Sequence, residues 1–338
     1  MDSEVIGVAV AERLDEFQRK HRWAGFPLAV LYKYIEDFGT YLAALLTYYL
    51  FVSLFPLLLL ISTVLGFVLA GDAKLQHQVL ASALHQFPVI GGDLAQPKRI
   101  GGGLIGLAVG ILGSLYGGLR GAQAFQYATN TVWGVPRNSR PNALKARGRS
   151  LLLLASAGLA VIATTALSIA GDTGAGALGT ALRLTVLAAS VVINMAVFVF
   201  GFRFAAARHL SVRDVAPGAI AAAVIWQLLQ SFGVLYVGHV VKHASDTNAV
   251  FAVVLGLLAF LYLSATAVLL CVEINVVRVS RMHPRSLLTP FTDNAILTTG
   301  DRRAYSEQAK AQRRKGFEHV DVSFDPPPPE QEHDPPGT

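Results

Sequence analysis

Hydrophobic positions along this chain come in long unbroken runs, without the three-and-four spacing of a soluble amphipathic helix. The first run, residues 39–71, contains no charged residue, and others lie near 102–122, 151–170, 181–202, 215–237 and 250–277. A straight transmembrane helix needs about 20 apolar residues. The pattern therefore predicts an all-α, six-helix transmembrane bundle over residues 39–285. The first run exceeds one span but falls short of two spans and a turn, so it predicts one tilted or extended helix near 42–70. Ahead of it, FPLAVLYKYIEDFGTY at 26–41 sets aromatic rings beside Lys33, Glu36 and Asp37. That mixture suits an amphipathic helix at the membrane interface, within a cytoplasmic or interfacial region 1–38. Residues 72–100 read as a polar excursion with a short helical pattern around Leu75–Phe87. The segment 286–338 lacks apolar periodicity and contains Pro326–Pro329, which predicts a disordered cytoplasmic tail.

Composition strengthens the membrane expectation. Apolar residues make up 53% and charged residues 15%, against about 45–50% and about 25% in soluble domains. Mean hydropathy is +0.48. Six spans place both ends on one side, and the basic residues say which. Arg13, Arg19, Lys20, Arg22, Lys33, Arg120, Arg137, Arg140, Lys145, Arg147, Arg149, Arg203, Arg208, Arg213, Arg278, Arg281 and Arg285 fall on one side. Lys74, Lys98, Arg99, Arg183 and Lys242 fall on the other, a ratio of 17 to 5. The positive-inside rule then places both termini in the cytoplasm. It also predicts contact between the basic loops and anionic lipid headgroups, with no specific nucleic-acid partner. An oligomer is compatible with the pattern.

Candidate chemistry is sparse. The single cysteine, Cys271, excludes an intrachain disulfide framework and a thiolate zinc cluster. His239 and His243 form an H-x3-H pair without a nearby carboxylate or thiol to complete a metal site. The chain shows no Walker loop, dinucleotide fingerprint or nucleophile elbow, so no catalytic residue, cofactor or metal is expected. What stands out lies inside the apolar runs. Gly106, Gly110, Gly113 and Gly117 recur at steps of four, three and four, which lines one helix face without side chains. Such a face lets a neighbouring backbone approach closely, or borders a solute path. Tyr49, Ser53 and Pro56 share one face of the first span, where proline removes a helical hydrogen bond from the Val52 carbonyl. Pro217, by contrast, follows Asp214, an expected helix cap, and starts the fifth span. Asn194, Gln227 and Gln230 suit interhelical hydrogen bonds. Glu273, near the cytoplasmic end of the sixth span, costs a few kcal/mol there unless paired or wetted. Arg120 and Arg203 share its expected membrane level, so an ion pair with one of them is expected to close the bundle.

Four segments carry a family resemblance: ALLTYYLFVSLFPLLLL at 44–60, ATNTVWGVPRNSRPNALKARGRSLLLL at 128–154, RDVAPGAIAAAVIWQLLQSFGVLYV at 213–237 and LLAFLYLSATAVLLCVEINVV at 257–277. Over roughly residues 25–285 the chain resembles the YihY/virulence factor BrkB family, once labelled ribonuclease BN. The resemblance implies a six-helix protein of the bacterial plasma (inner) membrane, discussed as a transporter or envelope factor. It marks Tyr49, Ser53, Phe55, Pro56, Asn130, Trp133, Pro217, Gly218, Tyr236, Glu273 and Asn275 as motif positions. Cys271 stands where small residues are common in the family, and Phe260 where tryptophan is expected. The expectation drawn is a transporter-like protein for a small solute or lipid-linked molecule. Its path or gate would be lined by Tyr49, Ser53, Pro56, Arg120, Asn130, Arg203, Glu273 and Asn275. The rival is a non-transporting envelope scaffold. A nuclease is disfavoured, because hydrolysis calls for positioned acid/base groups or metals.

Overall fold

A computed structural model describes residues 15–68, 103–171, 176–240, 246–287, 289 and 296–325. The polar excursion, His243 and the proline run lie outside these. The described residues form helices joined by short turns and contain no strand. After a helical stretch at 15–20, the elements are α1 (Arg22–Glu36), α2 (Gly39–Val68), α3 (Gly103–Val132), a 3-10 turn (Arg137–Ser139), α4 (Ala143–Gly171), α5 (Gly176–Ala205), α6 (Val212–Val240), α7 (Asp246–Val279) and α8 (Thr299–Ala311). Four are long and apolar enough to cross a membrane: Ala143–Leu167 of α4, Leu184–Ala205 of α5, Val212–Gln230 of α6 and Val254–Val279 of α7. A fifth is added if α1 and α2, bent by 67° to each other, form one broken span.

That bend falls at Asp37–Phe38, where Phe38 takes a φ of 57°. Gly39 follows because a Cβ there would overlap the Tyr34 ring. The helix of α2 continues through Pro56. Elsewhere the ends are set by polar caps. α3 stops at Gly134, whose φ of 58° turns the chain so that the Val135 N–H donates to the Asn130 carbonyl at 2.9 Å. Asn142 opens α4, its Oδ1 accepting the Lys145 N–H at 3.0 Å. Ser211 opens α6. Asp214 Oδ2 accepts its N–H and its hydroxyl, each at 2.8 Å, while Ser211 Oγ meets the Asp214 N–H at 3.3 Å. The cap is thus Ser211 rather than Asp214, because the reciprocal box satisfies two end donors where Asp214 alone satisfies one. Pro217 consequently lies inside the helix.

The chain divides into two compact units. One comprises residues 34–135 and 140–275, the other 1–33, 136–139 and 276–338. In the larger unit α2 packs along α3, α3 along α4, α4 along α5 and α5 along α6. None of the most apolar window of α5 is buried, against 44% of that of α7. α7 is therefore the more buried of the two, while α5 buries mainly its last turns, at Phe202 and Ala205.

The smaller unit corrects the expectation of a wholly disordered tail. α8 is a helix capped by Thr298, with Asp301 completing a capping box. Asp301 Oδ1 pairs with Arg285 Nε at 2.6 Å, and both side chains are fully buried. Its Oδ2 accepts the N–H groups of Ser286 at 3.0 Å and Thr298 at 2.8 Å. Arg285 also lies over the Tyr305 ring. The N-terminal stretch joins in, since Asp15 accepts the Leu287 N–H at 2.8 Å and Gln18 donates to the Arg285 carbonyl. Acidic composition suggested a solvated tail; a few fully paired charges order its first part instead.

Candidate functional site

Apart from Arg120 and Arg203, the described residues singled out by sequence fall into three kinds of place. Two of these are joints between helices.

The first joint lies where α2 crosses α3. A Cβ built on Gly117 would meet the Ser53 Cβ at 2.6 Å and its Cα at 2.7 Å. The two backbones come this close only because position 117 has no side chain. Gly121, one turn on, faces Tyr49 and Leu50 with room to spare at 3.8–3.9 Å. The Ser53 hydroxyl donates to the Leu50 carbonyl at 2.8 Å, within its own helix. Two features that looked independent in sequence, the Tyr49/Ser53 face and the glycine face, therefore meet each other at Ser53 and Gly117. Gly110 is buried and Gly113 half-buried on α3, and Ser114 donates to the Gly110 carbonyl at 2.6 Å. Nothing is described of side-chain surroundings at Gly106 or Pro56.

The second joint uses amides to hold backbone. Asn130 is buried; its Nδ2 donates to the Gln126 carbonyl at 2.7 Å and reaches the Ala205 carbonyl at 3.5 Å. Its Oδ1 accepts the Ala207 N–H at 2.7 Å. It thereby serves the last carbonyl of α5 and the turn beyond it, groups that a helix end leaves without helical partners. Beside it Gln126 donates to Ser150 Oγ at 2.7 Å, tying α3 to α4. Asn275 acts similarly between α7 and α6: its Oδ1 accepts the Gly218 N–H at 2.8 Å. A Cβ on Gly218 would strike the Cys271 carbonyl and the Asn275 amide. Glycine is needed there for close approach.

Glu273 occupies the third place. It is fully buried on α7, in a unit where the Tyr34 hydroxyl lies within electrostatic reach of Glu273, Tyr262 and Thr266. Tyr34 and Ser264 are buried as well. The Tyr34 hydroxyl thus lies against α7, with Glu273 and Thr266 among the groups that act on it. The two arginines expected near Glu273 each have a partner of their own. Arg120 stacks on Tyr116, one turn away on α3, with its Cζ 5.5 Å from the ring centroid. Arg203 Nε donates to the Leu210 carbonyl at 2.9 Å.

Arg203 also lines a cavity of about 340 Å³ at the junction of α4, α5 and the turn to α6. Arg149, Arg208 and His209 share its wall with Phe200 and Phe204. In the sequence Arg149 and Arg208 stood only as markers of membrane sidedness, and Arg203 as a candidate partner of Glu273. They lie 54 and 5 residues apart in the chain, so no spacing signal could have joined them. Among the described residues no three metal-binding side chains gather.

Residues 30–294 fit the family model described as Virulence factor BrkB. Searches of curated proteins and of solved structures give no match.

Proposed function

The chain belongs to the virulence factor BrkB family, and from that premise we propose a transporter-like protein of the bacterial inner membrane. In this reading six helices span the bilayer, α2 and α3 together with the four apolar spans of α4, α5, α6 and α7. Both ends face the cytoplasm, in line with the basic residues, and the basic loops contact anionic headgroups. The protein carries no reaction of its own. Its cargo is a small solute or a lipid-linked molecule.

The observation that carries this reading is Glu273. A fully buried carboxyl on a membrane helix, within electrostatic reach of the Tyr34 hydroxyl, is costly to place there. Ionisable groups at such depth commonly serve a substrate or ion path. The test compares lipids and metabolites retained by the purified protein, wild type against Glu273→Ala and Glu273→Gln. A species enriched in wild type and lost in Glu273→Ala supports transport. No enriched species in any sample refutes it.

The second reading, a closed envelope scaffold, is favoured by the joints. The contact of Ser53 with Gly117, and the use of Asn130 and Asn275 on backbone, leave those residues little freedom to line a path. Equal loss of stability in both Glu273 variants, with retained species unchanged, would select the scaffold.

A further inference from the structure

The cavity beside Arg203 has a chemistry that neither joint nor the Glu273 cluster explains. Among the described residues its charged wall consists of Arg149, Arg203, Arg208 and His209, with no carboxylate. The arginines are held in place from behind. Arg149 lies over the Phe204 ring at 5.7 Å, and Phe204 stacks on Phe200 with centroids 5.1 Å apart. Arg208 lies over the buried Trp133 at 5.7 Å. Arg203 is fixed through its Nε on the Leu210 carbonyl, which leaves its terminal nitrogens for another acceptor. Guanidinium groups stacked on rings keep their N–H edges available, a preferred arrangement for phosphate. Arg149 Nη1 is moreover shielded from solvent, and no acceptor among the described residues meets it. A buried donor in that condition ordinarily has an anion or water as its partner.

We propose that this cavity is a phosphate-ester site, in which one phosphate group is held by Arg149, Arg203 and Arg208. Its volume falls at the small end of ordinary ligand pockets, enough for a headgroup and not for a nucleic-acid strand. Phe200 and Phe204 belong to α5 and Phe200 is exposed, so the apolar part of a phospholipid would continue along that helix. The inference deepens the proposed contact of basic loops with anionic headgroups and rests on it; it does not depend on transport.

The test measures binding of short-chain phosphatidylglycerol, phosphatidylcholine and sn-glycerol 3-phosphate to the purified full-length protein in detergent. Arg149→Gln and Arg208→Gln are compared with Arg147→Gln, an exposed arginine on α4 that does not line the cavity. Monodisperse elution checks folding, and Arg149→Lys serves if a glutamine variant misfolds, since it keeps the charge and loses the planar fork. Phosphatidylglycerol is expected to bind more tightly than phosphatidylcholine. Each cavity variant should weaken it about tenfold, the loss of one charge-assisted hydrogen bond, with Arg147→Gln unchanged. Competition by glycerol phosphate identifies a soluble ester as a sufficient ligand; no competition identifies the lipid; either supports the site. Equal weakening in all variants, Arg147→Gln included, overturns the cavity while leaving a diffuse headgroup contact standing. Wild type that does not discriminate the two lipids overturns both.

Discussion

Replacing Asp301 should release α8 from the rest of its unit. Asp301 accepts from Arg285 Nε at 2.6 Å, from the Ser286 and Thr298 amides at 3.0 and 2.8 Å, and from the Thr298 hydroxyl at 2.8 Å. Neither Asp301 nor Arg285 is exposed to solvent. Asp301→Ala therefore leaves a buried guanidinium without its carboxylate and removes a helix cap. Breaking one side of a buried ion pair costs about 3–5 kcal/mol. The cap interaction overlaps with it, so the two are not added.

Hydrogen exchange of the amides in Thr299–Ala311, measured on the full-length protein, reads this directly. At 1.4 kcal/mol per factor of ten, local opening should become roughly a hundred- to several-thousand-fold more frequent. If wild-type α8 opens with a smaller free energy than that, its protection disappears altogether. A second arm separates the ion pair from simple loss of contact. Arg285→Met with Asp301→Leu removes both charges together, and apolar replacement of a buried pair is often nearly neutral. The double variant should protect α8 better than Asp301→Ala alone. Wild-type exchange rates in Asp301→Ala would refute the reasoning, and a double variant worse than the single would refute its electrostatic half.

Three further outcomes follow from close contacts. Gly117→Ala should lower the thermal midpoint in detergent by the equivalent of about 1–3 kcal/mol, because its Cβ meets Ser53 at 2.6 Å; Gly121→Ala, with 3.8 Å available, should be nearly silent. Gly218→Ala should reduce the yield of folded protein more severely than Gly117→Ala, since its Cβ would overlap the Cys271 carbonyl more deeply than that of position 117 overlaps Ser53. Asn130→Ala should cost about 1–3 kcal/mol by removing the acceptor of the Ala207 N–H, seen as faster exchange across residues 205–211 with little change in α2.

Hydropathy located the helices better than it located their ends, for a physical reason. A run of apolar residues reports where lipid can surround the chain, whereas a helix ends where its last amides and carbonyls find other partners. Thus 102–122 becomes Gly103–Val132, because QAFQYATNTV remains helical after its apolar character has gone and stops only at Gly134. Likewise 151–170 begins eight residues earlier, at the Asn142 cap. The tail shows the converse. Low hydropathy and acidic charge pointed to disorder, yet Thr298-x-x-Asp301 followed by RRAYSEQAKA is a capping box before good helix formers. That local signal was legible. The pairing of Asp301 with Arg285, sixteen residues back, was not.

A polar residue in an apolar run announces itself in sequence, but its use depends on what lies across the helix interface. Asn130 and Asn275 were expected along a path, and both hold backbone: one at the end of α5, the other beneath Gly218. Ser53 was expected on a polar face, and it is the floor on which Gly117 rests. Two features then stand out as candidates for function among the described residues: Glu273 and the arginines around the cavity. The two are chemically opposite, a buried acid in one place and anion-seeking guanidinium groups in the other. Changing Glu273 and changing Arg149 should therefore disturb different ligands. A single species lost in both Glu273→Ala and Arg149→Gln would mean that the two places serve one cargo.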